Sequence, residues 1–304
     1  MFFKKISNFF VFSLENRKNK KVGAIMTKYD ISPPLKWAGG KRSLLEQIDN
    51  FLPKTFNTYF EPFIGGGALL FYLQPENAVI GDLNENLIDV YKTLQRPIEL
   101  KLMENTLDEY EAKHSEEFYF QIRSQDTNPD FKNMPIWLKA SRMIYLNKAC
   151  FNGLYRVNSK GFFNVSFGKK DKVITYNKDN LESIHRYFIE NNVHILCTDF
   201  ANITKNAKKD DFVYFDPPYD VLENKQSFTN YQSNGFTKDD QIRLKKEVDR
   251  LTSLGVKCMI SNHNTNFILD LYKDYNIHNV QAKRIISRNV ESRGYVTEVL
   301  ITNY

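Results

Sequence analysis

Residues 58–82 of this 304-residue chain read TYFEPFIGGGALLFYLQPENAVIGD, and this stretch decides the fold class. Residues 58–61 are typical of a short strand, three glycines follow, and a helical run extends through Leu73. A second apolar strand then ends in Asp82. The order strand, glycines, helix, strand and acid is that of a nucleotide-binding βαβ unit. The sequence therefore predicts an α/β protein with a Rossmann-like core.

The glycine loop of this unit indicates a cofactor site. Glycines between a strand and a helix let the backbone approach a ligand closely, although a tight turn without a ligand would use the same residues. Asp82, at the end of the second strand, is placed to accept hydrogen bonds from ribose hydroxyls. The spacing differs from the Gly-x-Gly-x-x-Gly pattern that binds a pyrophosphate. Glu61, Gly65, Gly67 and Asp82 therefore favour S-adenosylmethionine (AdoMet), an adenosine cofactor without a pyrophosphate.

The hydrophobic pattern divides the rest of the chain into three parts. Helical spacing dominates residues 97–189, whereas further buried strands are predicted at 189–198, 211–215, 256–261 and 298–302. We therefore predict an AdoMet-binding catalytic domain made of residues 32–96 and 190–304. A mostly helical insert, residues 97–189, interrupts it. Residues 1–31 are predicted to be a disordered N-terminal extension.

Composition and charge are those of an ordinary globular protein. Hydrophobic residues make up 42% and charged residues 26%, so a sizeable core is available. The net charge of +6 permits a polyanionic partner without requiring one. The three cysteines are far apart, and no histidines or cysteines have ligand spacing, so we expect neither a disulfide nor a bound metal.

The first 26 residues look only superficially like a signal peptide. Their apolar stretch is brief and lacks a small-residue cleavage site, and no later segment has the length of a membrane span. We therefore expect a cytoplasmic protein, with either Met1 or Met26 as the true start.

Asp216-Pro217-Pro218-Tyr219 directly follows the apolar run 212–215 and indicates a site for a base amine. The carboxylate and a proline carbonyl can each accept one N–H bond, while prolines contribute no competing N–H donor. The Tyr219 ring offers a face on which a planar base can stack. This combination suits methyl transfer to adenine N6. Taken alone, Asp-Pro-Pro is also an ordinary turn.

Two further segments suggest binding surfaces. Trp37-Ala38-Gly39-Gly40-Lys41 is a second glycine loop, whose lysine can meet the carboxylate of the cofactor's methionine end; a helix-start turn with a solvated lysine is the alternative. Residues 150–172 combine aromatic and basic side chains. Arg156 there suits guanine O6 and N7, Leu154 a thymine methyl, and Lys160 a phosphate. A plain surface loop packed on a small core has the same composition.

Four motifs occur in the order found in one enzyme family: Pro34 to Lys41, Glu61 to Gly67, Phe151 to Arg156, and Asp216 to Tyr219. The chain resembles the Dam-type DNA adenine-N6 methyltransferases (D12 class, alpha group) over about residues 32–304. It is especially similar to the methylases of GATC restriction–modification systems.

The resemblance implies a role for individual residues. The cofactor positions are Trp37, Lys41, Gly65, Gly67, Asp82, Asp199, Phe200 and Asp216. Lys36 and Arg156 match positions that read guanines in GATC, and Leu154 one that contacts a thymine. Phe151 and Asn152 match residues that fill the gap left by a flipped adenine. The chain departs from the family at Phe151, where some relatives carry tyrosine, and at Ser166, where many carry proline.

The expected mechanism is direct methyl transfer from AdoMet to a flipped adenine in double-stranded DNA. Asp216 and a proline carbonyl would accept both amine N–H bonds, Tyr219 would stack on the base, and no metal would be needed. A cognate restriction endonuclease is an expected partner, and the enzyme is expected to be a monomer. The alternatives are methylation of another DNA sequence or of cytosine N4, an RNA methylase, a non-catalytic DNA-binding relative, and a nicotinamide dehydrogenase.

Overall fold

A computed structural model describes residues 21–22, 25–26, 28–221, 236–283 and 295–304. Most of the predicted N-terminal extension lies outside these ranges; within it, residues 21–22 pair antiparallel with residues 25–26. Tyr29, near the end of that segment, is buried. Its hydroxyl donates to Glu190 Oε2 at 2.6 Å and its backbone N–H to Gln74 Oε1 at 3.0 Å. The chain has therefore joined the folded body at Tyr29.

A seven-stranded sheet forms the centre of the described structure. Its strands are β1 (Tyr59–Glu61), β2 (Asn77–Asp82), β3 (Asn192–Cys197), β4 (Phe212–Phe215), β5 (Lys257–His263), β6 (Asn276–Lys283) and β7 (Tyr295–Thr302). They lie in the order β3-β2-β1-β4-β5-β7-β6. Strands β1 to β5 are parallel, and β7 is antiparallel to both of its neighbours. The predicted Rossmann-like α/β core is confirmed, although β6 was not predicted.

The strand order reverses between the neighbours β1 and β4. In open α/β sheets, ligands bind outside the carboxyl ends of the strands at such a reversal. Every residue of β4 is buried, as expected of a strand covered on both faces. Because the glycine loop follows β1 and Asp216 follows β4, the topology brings the two motifs together at this point.

Helices cover both faces of the sheet. They are α1 (Leu45–Asp49), α2 (Ala68–Leu73), α3 (Glu85–Gln95), α4 (Pro97–Ala112), α5 (Glu116–Ser124), α6 (Ile136–Ala149), α7 (Lys178–Glu190), α8 (Phe200–Ile203), α9 (Lys238–Ser253) and α10 (Asn266–Leu271). Short 3₁₀ turns occupy Lys41–Leu44, Gln125–Thr127, Pro129–Asn133 and Phe151–Gly153. Side-chain caps start several helices; at α9, Thr237 and Asp240 form a reciprocal capping box.

The helical segment between β2 and β3 is organised around α6. This helix is almost entirely buried and contacts α3, α4 and α5. Its Arg142 pairs with Asp126 at 2.8 Å and donates to the carbonyls of Ile122 and Arg123. Asp126 in turn accepts the N–H of Phe163 at 2.8 Å. A buried ion pair with these additional hydrogen bonds thus anchors the loop that carries Arg156.

Candidate active site and nucleic-acid interface

Four parallel strands each end in, or are closely followed by, an acidic residue. These residues are Glu61 at the end of β1, Asp82 at the end of β2, Asp199 shortly after β3 and Asp216 directly after β4. The carboxyl ends of adjacent parallel strands lie at one edge of a sheet, so these carboxylates line that edge. Such a row of acceptors suits a ligand rich in hydroxyl and ammonium groups.

Asp216 forms an ion pair with a buried lysine from the N-terminal loop. Lys41 is 5% exposed, and its Nζ lies 2.8 Å from Asp216 Oδ1 and 2.7 Å from the carbonyl oxygen of Gly39. The same ammonium stands 4.6 Å from the centre of the Tyr219 ring. The Tyr219 hydroxyl donates to Glu298 Oε2 at 3.0 Å. The Asp216 carboxylate and the face of the Tyr219 ring therefore both lie next to Lys41 Nζ.

The electrostatics at Asp216 are a balance of opposing effects. Burial raises the pKa of its carboxyl above the ordinary value, and the negative charge of Glu298 adds to this. Lys41 acts in the opposite direction by charge and by hydrogen bonding. The net direction is upward. Lys41 is thus the main group that opposes the effect of burial on Asp216, and a hydrogen bond from Tyr219 adds a smaller effect in the same direction.

The glycine loop after β1 packs tightly against Trp37. Gly65 and Gly67 have φ values of +45° and +72°, a region that glycine enters freely. A Cβ on Gly65 would lie 2.8 Å from Trp37 Cδ1. The carbonyl of Gly65 accepts from Tyr91 at 2.9 Å, and its N–H donates to Asp82 Oδ2 at 3.4 Å. Trp37, the glycine loop and Asp82 are therefore in contact with one another and form one side of the predicted cofactor site, which we call the cofactor wall.

Glu61 is a buried carboxyl at the end of β1, and its pKa is strongly raised. It is 2% exposed, and its Oε2 accepts from the Tyr59 hydroxyl at 2.8 Å and the Leu70 N–H at 3.1 Å. Burial, with a smaller contribution from the charge of Asp216, raises its pKa from 4.5 to about 8. Glu61 thus holds the first turn of α2 beneath the glycine loop.

Asp199 and Phe200 lie after β3 and are held by a residue that the sequence did not single out. Arg243 of α9 forms a two-point pair with Asp199, at 2.8 and 3.0 Å, and its guanidinium lies 4.2 Å from the centre of the Phe200 ring. Burial alone would raise the pKa of Asp199, but bonds from Arg243 and the Ala201 N–H lower it. Phe200 itself is buried.

The predicted recognition loop exposes its aromatic residue. Phe151 is 55% exposed although it is large and apolar. Asn152, which follows it, has φ of +56°, a left-handed conformation that asparagine tolerates better than most residues. Lys160 lies at an exposed turn closed by the Asn158 side chain. An exposed ring on a sharply turned backbone is available for contact with another molecule.

Asn147, which sequence reasoning missed, joins the loop to the N-terminal segment. This buried side chain accepts the N–H of Lys36 at 2.9 Å and donates to the carbonyls of Lys36 at 2.8 Å and Gly153 at 3.1 Å. A Cβ on Gly153 would approach Lys36 Cδ to 2.8 Å. Lys36 and the loop bearing Leu154 are therefore in direct contact.

Two contacts orient the residues beyond Leu154. Arg156 donates from Nε to Asn164 Oδ1 at 2.7 Å and from an Nη to the carbonyl of Asn164 at 3.0 Å. Tyr155 stacks on Trp37, with ring centres 5.4 Å apart and planes 27° apart. The loop carrying the predicted DNA readers thus touches the wall of the predicted cofactor site.

Comparison with known proteins shows the family of this chain. The sequence model of one family, the D12 class N6 adenine-specific DNA methyltransferases, matches residues 37–286. The chain belongs to this family. It is therefore an adenine-specific DNA methyltransferase, with AdoMet as the methyl donor and DNA as the substrate.

Curated relatives match nearly the whole chain. Type II methyltransferase M1.LlaDCHI of Lactococcus lactis subsp. cremoris is 42% identical over 91% of this chain and 97% of its own length. Type II methyltransferase M.MjaIII of Methanocaldococcus jannaschii is 38% identical, covering 90% of this chain and 100% of its own. The DNA adenine methylase of Escherichia coli K12 is 32% identical over 88% and 93%.

Two structural features are not found among the described residues of this methyltransferase. Among them, no group of three or more His, Cys, Asp or Glu side chains is arranged to hold a metal ion. None of the helices in these ranges is long and apolar enough to cross a membrane.

Proposed function

We propose that this methyltransferase transfers a methyl group to N6 of an adenine that has been flipped out of double-stranded GATC. The observation that carries this proposal is the position of Lys41 Nζ, 2.8 Å from Asp216 Oδ1 and 4.6 Å from the centre of the Tyr219 ring. A nitrogen donor already fits between the carboxylate and the ring face. The amino group of an adenine near Tyr219 would take this position once Lys41 has left it.

The second acceptor for the target amine is the carbonyl of Pro217. The neighbouring carbonyl, that of Pro218, already accepts from Gln241 Nε2 at 2.9 Å. No donor in the described part of the chain is bonded to the Pro217 carbonyl. Asp216 and Pro217 would then accept one N–H each, which localises the amine lone pair and directs it at the methyl group. The proton lost from N6 after transfer has Asp216 as its hydrogen-bonded acceptor.

The residues at the switch point fit AdoMet, which supplies the methyl group as an electrophilic sulfonium. Asp82 is a partly desolvated acceptor for ribose hydroxyls, and Gly65 and Gly67 keep the loop backbone open to a ligand. Trp37 lines the same wall, and Glu61 supports it from below. We assign Asp199 and Phe200 to the adenine end, held there by Arg243. Lys41 would leave Asp216 for the carboxylate of AdoMet.

The DNA is read by the insert, residues 97–189, together with Lys36. Lys36 and Arg156 are assigned to guanines and Leu154 to a thymine, because Asn147 and Asn164 fix the backbone and side chain that present them. The exposed Phe151 and Asn152 would enter the space left by the flipped adenine. Lys160 would meet a phosphate.

Two relatives are named type II methyltransferases, which supports a role in a restriction–modification system. We therefore propose a cognate endonuclease acting on the same DNA site, and a monomeric enzyme in the cytoplasm. Protection of host DNA is the corresponding role.

The test uses plasmid DNA that contains GATC sites and lacks adenine methylation. After incubation with the protein and AdoMet, the plasmid is digested with a nuclease that GATC methylation blocks and with one that requires it. We expect resistance to the first, sensitivity to the second, and loss of both effects in Asp216→Ala. The exposed Asp130→Ala is the matched control and should behave like the wild type.

Other outcomes separate the parts of the proposal. Unchanged digestion with labelled methyl still entering DNA would contradict the assignment of Lys36 and Arg156 to GATC. No methyl transfer by a folded protein that binds AdoMet would contradict the catalytic assignment.

A further inference from the structure

The loop after β4 is held by two buried amide side chains from outside the motif. Gln241 of α9 is 2% exposed, and its Nε2 donates to the Pro218 carbonyl at 2.9 Å. Its Oε1 accepts from Asn262 Nδ2 at 3.2 Å, and Asn262 of β5 is fully buried. Two consecutive prolines lack N–H groups with which the backbone could fix itself. The donor that fixes Pro218 therefore has to come from elsewhere in the fold.

The orientation of both amides follows from their hydrogen-bond partners. Asn262 Oδ1 accepts the backbone N–H groups of Asp220 at 3.0 Å and His263 at 2.9 Å. Because the oxygen of Asn262 faces these two donors, its Nδ2 must face Gln241. The oxygen of Gln241 accepts that bond, and its Nε2 is left to donate to Pro218. Two main-chain N–H groups thus determine the direction of the whole chain of bonds.

The residue after the motif is held by the same elements. Asp220 Oδ2 accepts from Thr265 at 2.6 Å, and its carbonyl lies 2.6 Å from His263 Nδ1. The segment from Asp216 to Asp220 is therefore held at Pro218 and at Asp220. The Pro217 carbonyl lies between Asp216 and the first of these fastened positions.

We propose that Gln241 and Asn262 are positioning residues for methyl transfer, and that they act by occupying the Pro218 carbonyl and thereby presenting the Pro217 carbonyl to the target amine. This inference rests on the proposed function. In this proposal, two residues outside the Asp-Pro-Pro-Tyr motif determine which proline carbonyl accepts the second N–H of the target amine. Without the Gln241 donor, the carbonyls of Pro217 and Pro218 would both be free to accept from the target amine. The amine would then be aligned less well with the methyl group.

The test is a comparison of Gln241→Glu with the wild type as a function of pH. Protonated, the introduced carboxyl can donate to Pro218 and accept from Asn262; ionised, it has no donor for Pro218. We expect the ratio of variant kcat to wild-type kcat to approach one at low pH and to fall by about ten- to a hundredfold as the carboxyl ionises. Taking the ratio removes the titration of Asp216, which both proteins share.

A matched control and two binding readouts make the result specific. Gln95 of α3 also donates through Nε2 to a backbone carbonyl, that of Val193 at 2.8 Å, but away from the motif. Gln95→Glu should give a kcat ratio that does not vary with pH. The AdoMet Kd and the KM for DNA of Gln241→Glu should stay within a few-fold of the wild type, because the buried Gln241 side chain is not assigned to either ligand.

The positioning role and the proposed function can fail separately. Turnover by the wild type in this assay tests the proposed function, and the ratio of variant to wild-type kcat tests the positioning role. A pH-dependent kcat ratio with unchanged AdoMet binding supports the positioning role. A flat ratio near one overturns it, as does a loss of kcat that follows the AdoMet Kd or the melting temperature. Gln241→Met, which keeps the volume but loses both polar groups, should be slow at every pH.

Discussion

The ammonium of Lys41 lies 2.8 Å from Asp216 Oδ1 and 4.6 Å from the centre of the Tyr219 ring. A cation thus fills the space that we assign to the amine of the target base. Burial and the charge of Glu298 raise the pKa of Asp216, whereas Lys41 lowers it. Before the substrate binds, Lys41 is therefore the group that most favours the ionised form of Asp216.

Replacing Lys41 with glutamine should raise the pKa of Asp216 further. The ionised carboxylate accepts the N–H of the target amine more strongly than the neutral carboxyl group does, so activity should fall as Asp216 is protonated. The acid limb of kcat/KM, which reports groups of the free enzyme, should move to higher pH in Lys41→Gln. Initial rates with both duplex and AdoMet well below their KM values, measured between about pH 5 and 9, check this.

Lys54→Gln, which removes one exposed positive charge from the loop before β1, is the control for the loss of charge. Its acid limb should coincide with that of the wild type. If the limb of Lys41→Gln also stays in place while the rate falls uniformly, Lys41 acts only through the cofactor.

The acids at the sheet edge could be predicted from sequence because each follows a short apolar run. The run 212–215 is apolar at every position, as a strand covered on both faces must be, and Asp216 comes next. Glycines after β1 and an acid after β2 identify the switch point in the same way. These signals are local, since they depend on the order of neighbouring residues.

Features that depend on distant partners could not be predicted in this way. Strand β6 is an edge strand of mostly polar residues, and among residues 276–282 only Val280 is buried. Asn147 lies within a helical pattern, and nothing near it indicates a bond to Lys36, 111 positions away. The pairing of Lys41 with Asp216 likewise arises only when the sheet forms.

Tyr155 connects the recognition loop with the cofactor wall, since its ring stacks on Trp37 at 5.4 Å. We expect cognate duplex to tighten AdoMet binding, and Tyr155→Leu to lose most of this effect because the stack is removed. Binding free energies couple reciprocally, so AdoMet should also lose its effect on DNA affinity. Titration calorimetry with and without a GATC duplex and a non-reactive AdoMet analogue measures both.

Tyr155→Phe is the conservative comparison for this prediction. It keeps the stack and loses only the weak contact of the hydroxyl with Asn86, at 3.4 Å. Its coupling should match that of the wild type. If duplex tightens AdoMet binding to Tyr155→Leu as much as to the wild type, the stack of Tyr155 on Trp37 does not couple the two binding sites.

Asn147 should be needed for discrimination at the guanines. Asn147→Ala leaves the N–H of Lys36 and the carbonyls of Lys36 and Gly153 without this partner; the cost is about 1–3 kcal/mol for the buried Gly153 carbonyl and less for the part-buried groups of Lys36. Because the backbone at Lys36 and Gly153 is then less fixed, the preference for GATC over a duplex with one guanine replaced should fall. Rates on the two duplexes and urea unfolding measure the two effects.

Asn180 offers a matched control for Asn147. It forms the same kind of clamp, accepting the N–H of Ser32 at 2.7 Å and donating to the carbonyl of Ser32 at 3.0 Å. Asn180→Ala should lower stability in a similar way and leave the preference for GATC unchanged. Equal loss of preference in both variants would assign the effect to the N-terminal segment as a whole.

Glu61 should make the protein less stable as the pH rises. Its pKa is raised from 4.5 to about 8 by burial, so between these values the folded protein keeps a proton that the unfolded chain has released. The free energy of unfolding therefore falls through this interval and levels off above it.

Glu61→Gln keeps an acceptor oxygen for Tyr59 and Leu70 but cannot ionise. Its stability should exceed that of the wild type by roughly a few kcal/mol above pH 8, since one pKa unit corresponds to about 1.4 kcal/mol. Urea unfolding of both proteins below and above the interval measures this, with the exposed Glu76→Gln as the control. A stability difference that is the same at both pH values would mean that Glu61 has the same pKa in the folded and the unfolded protein.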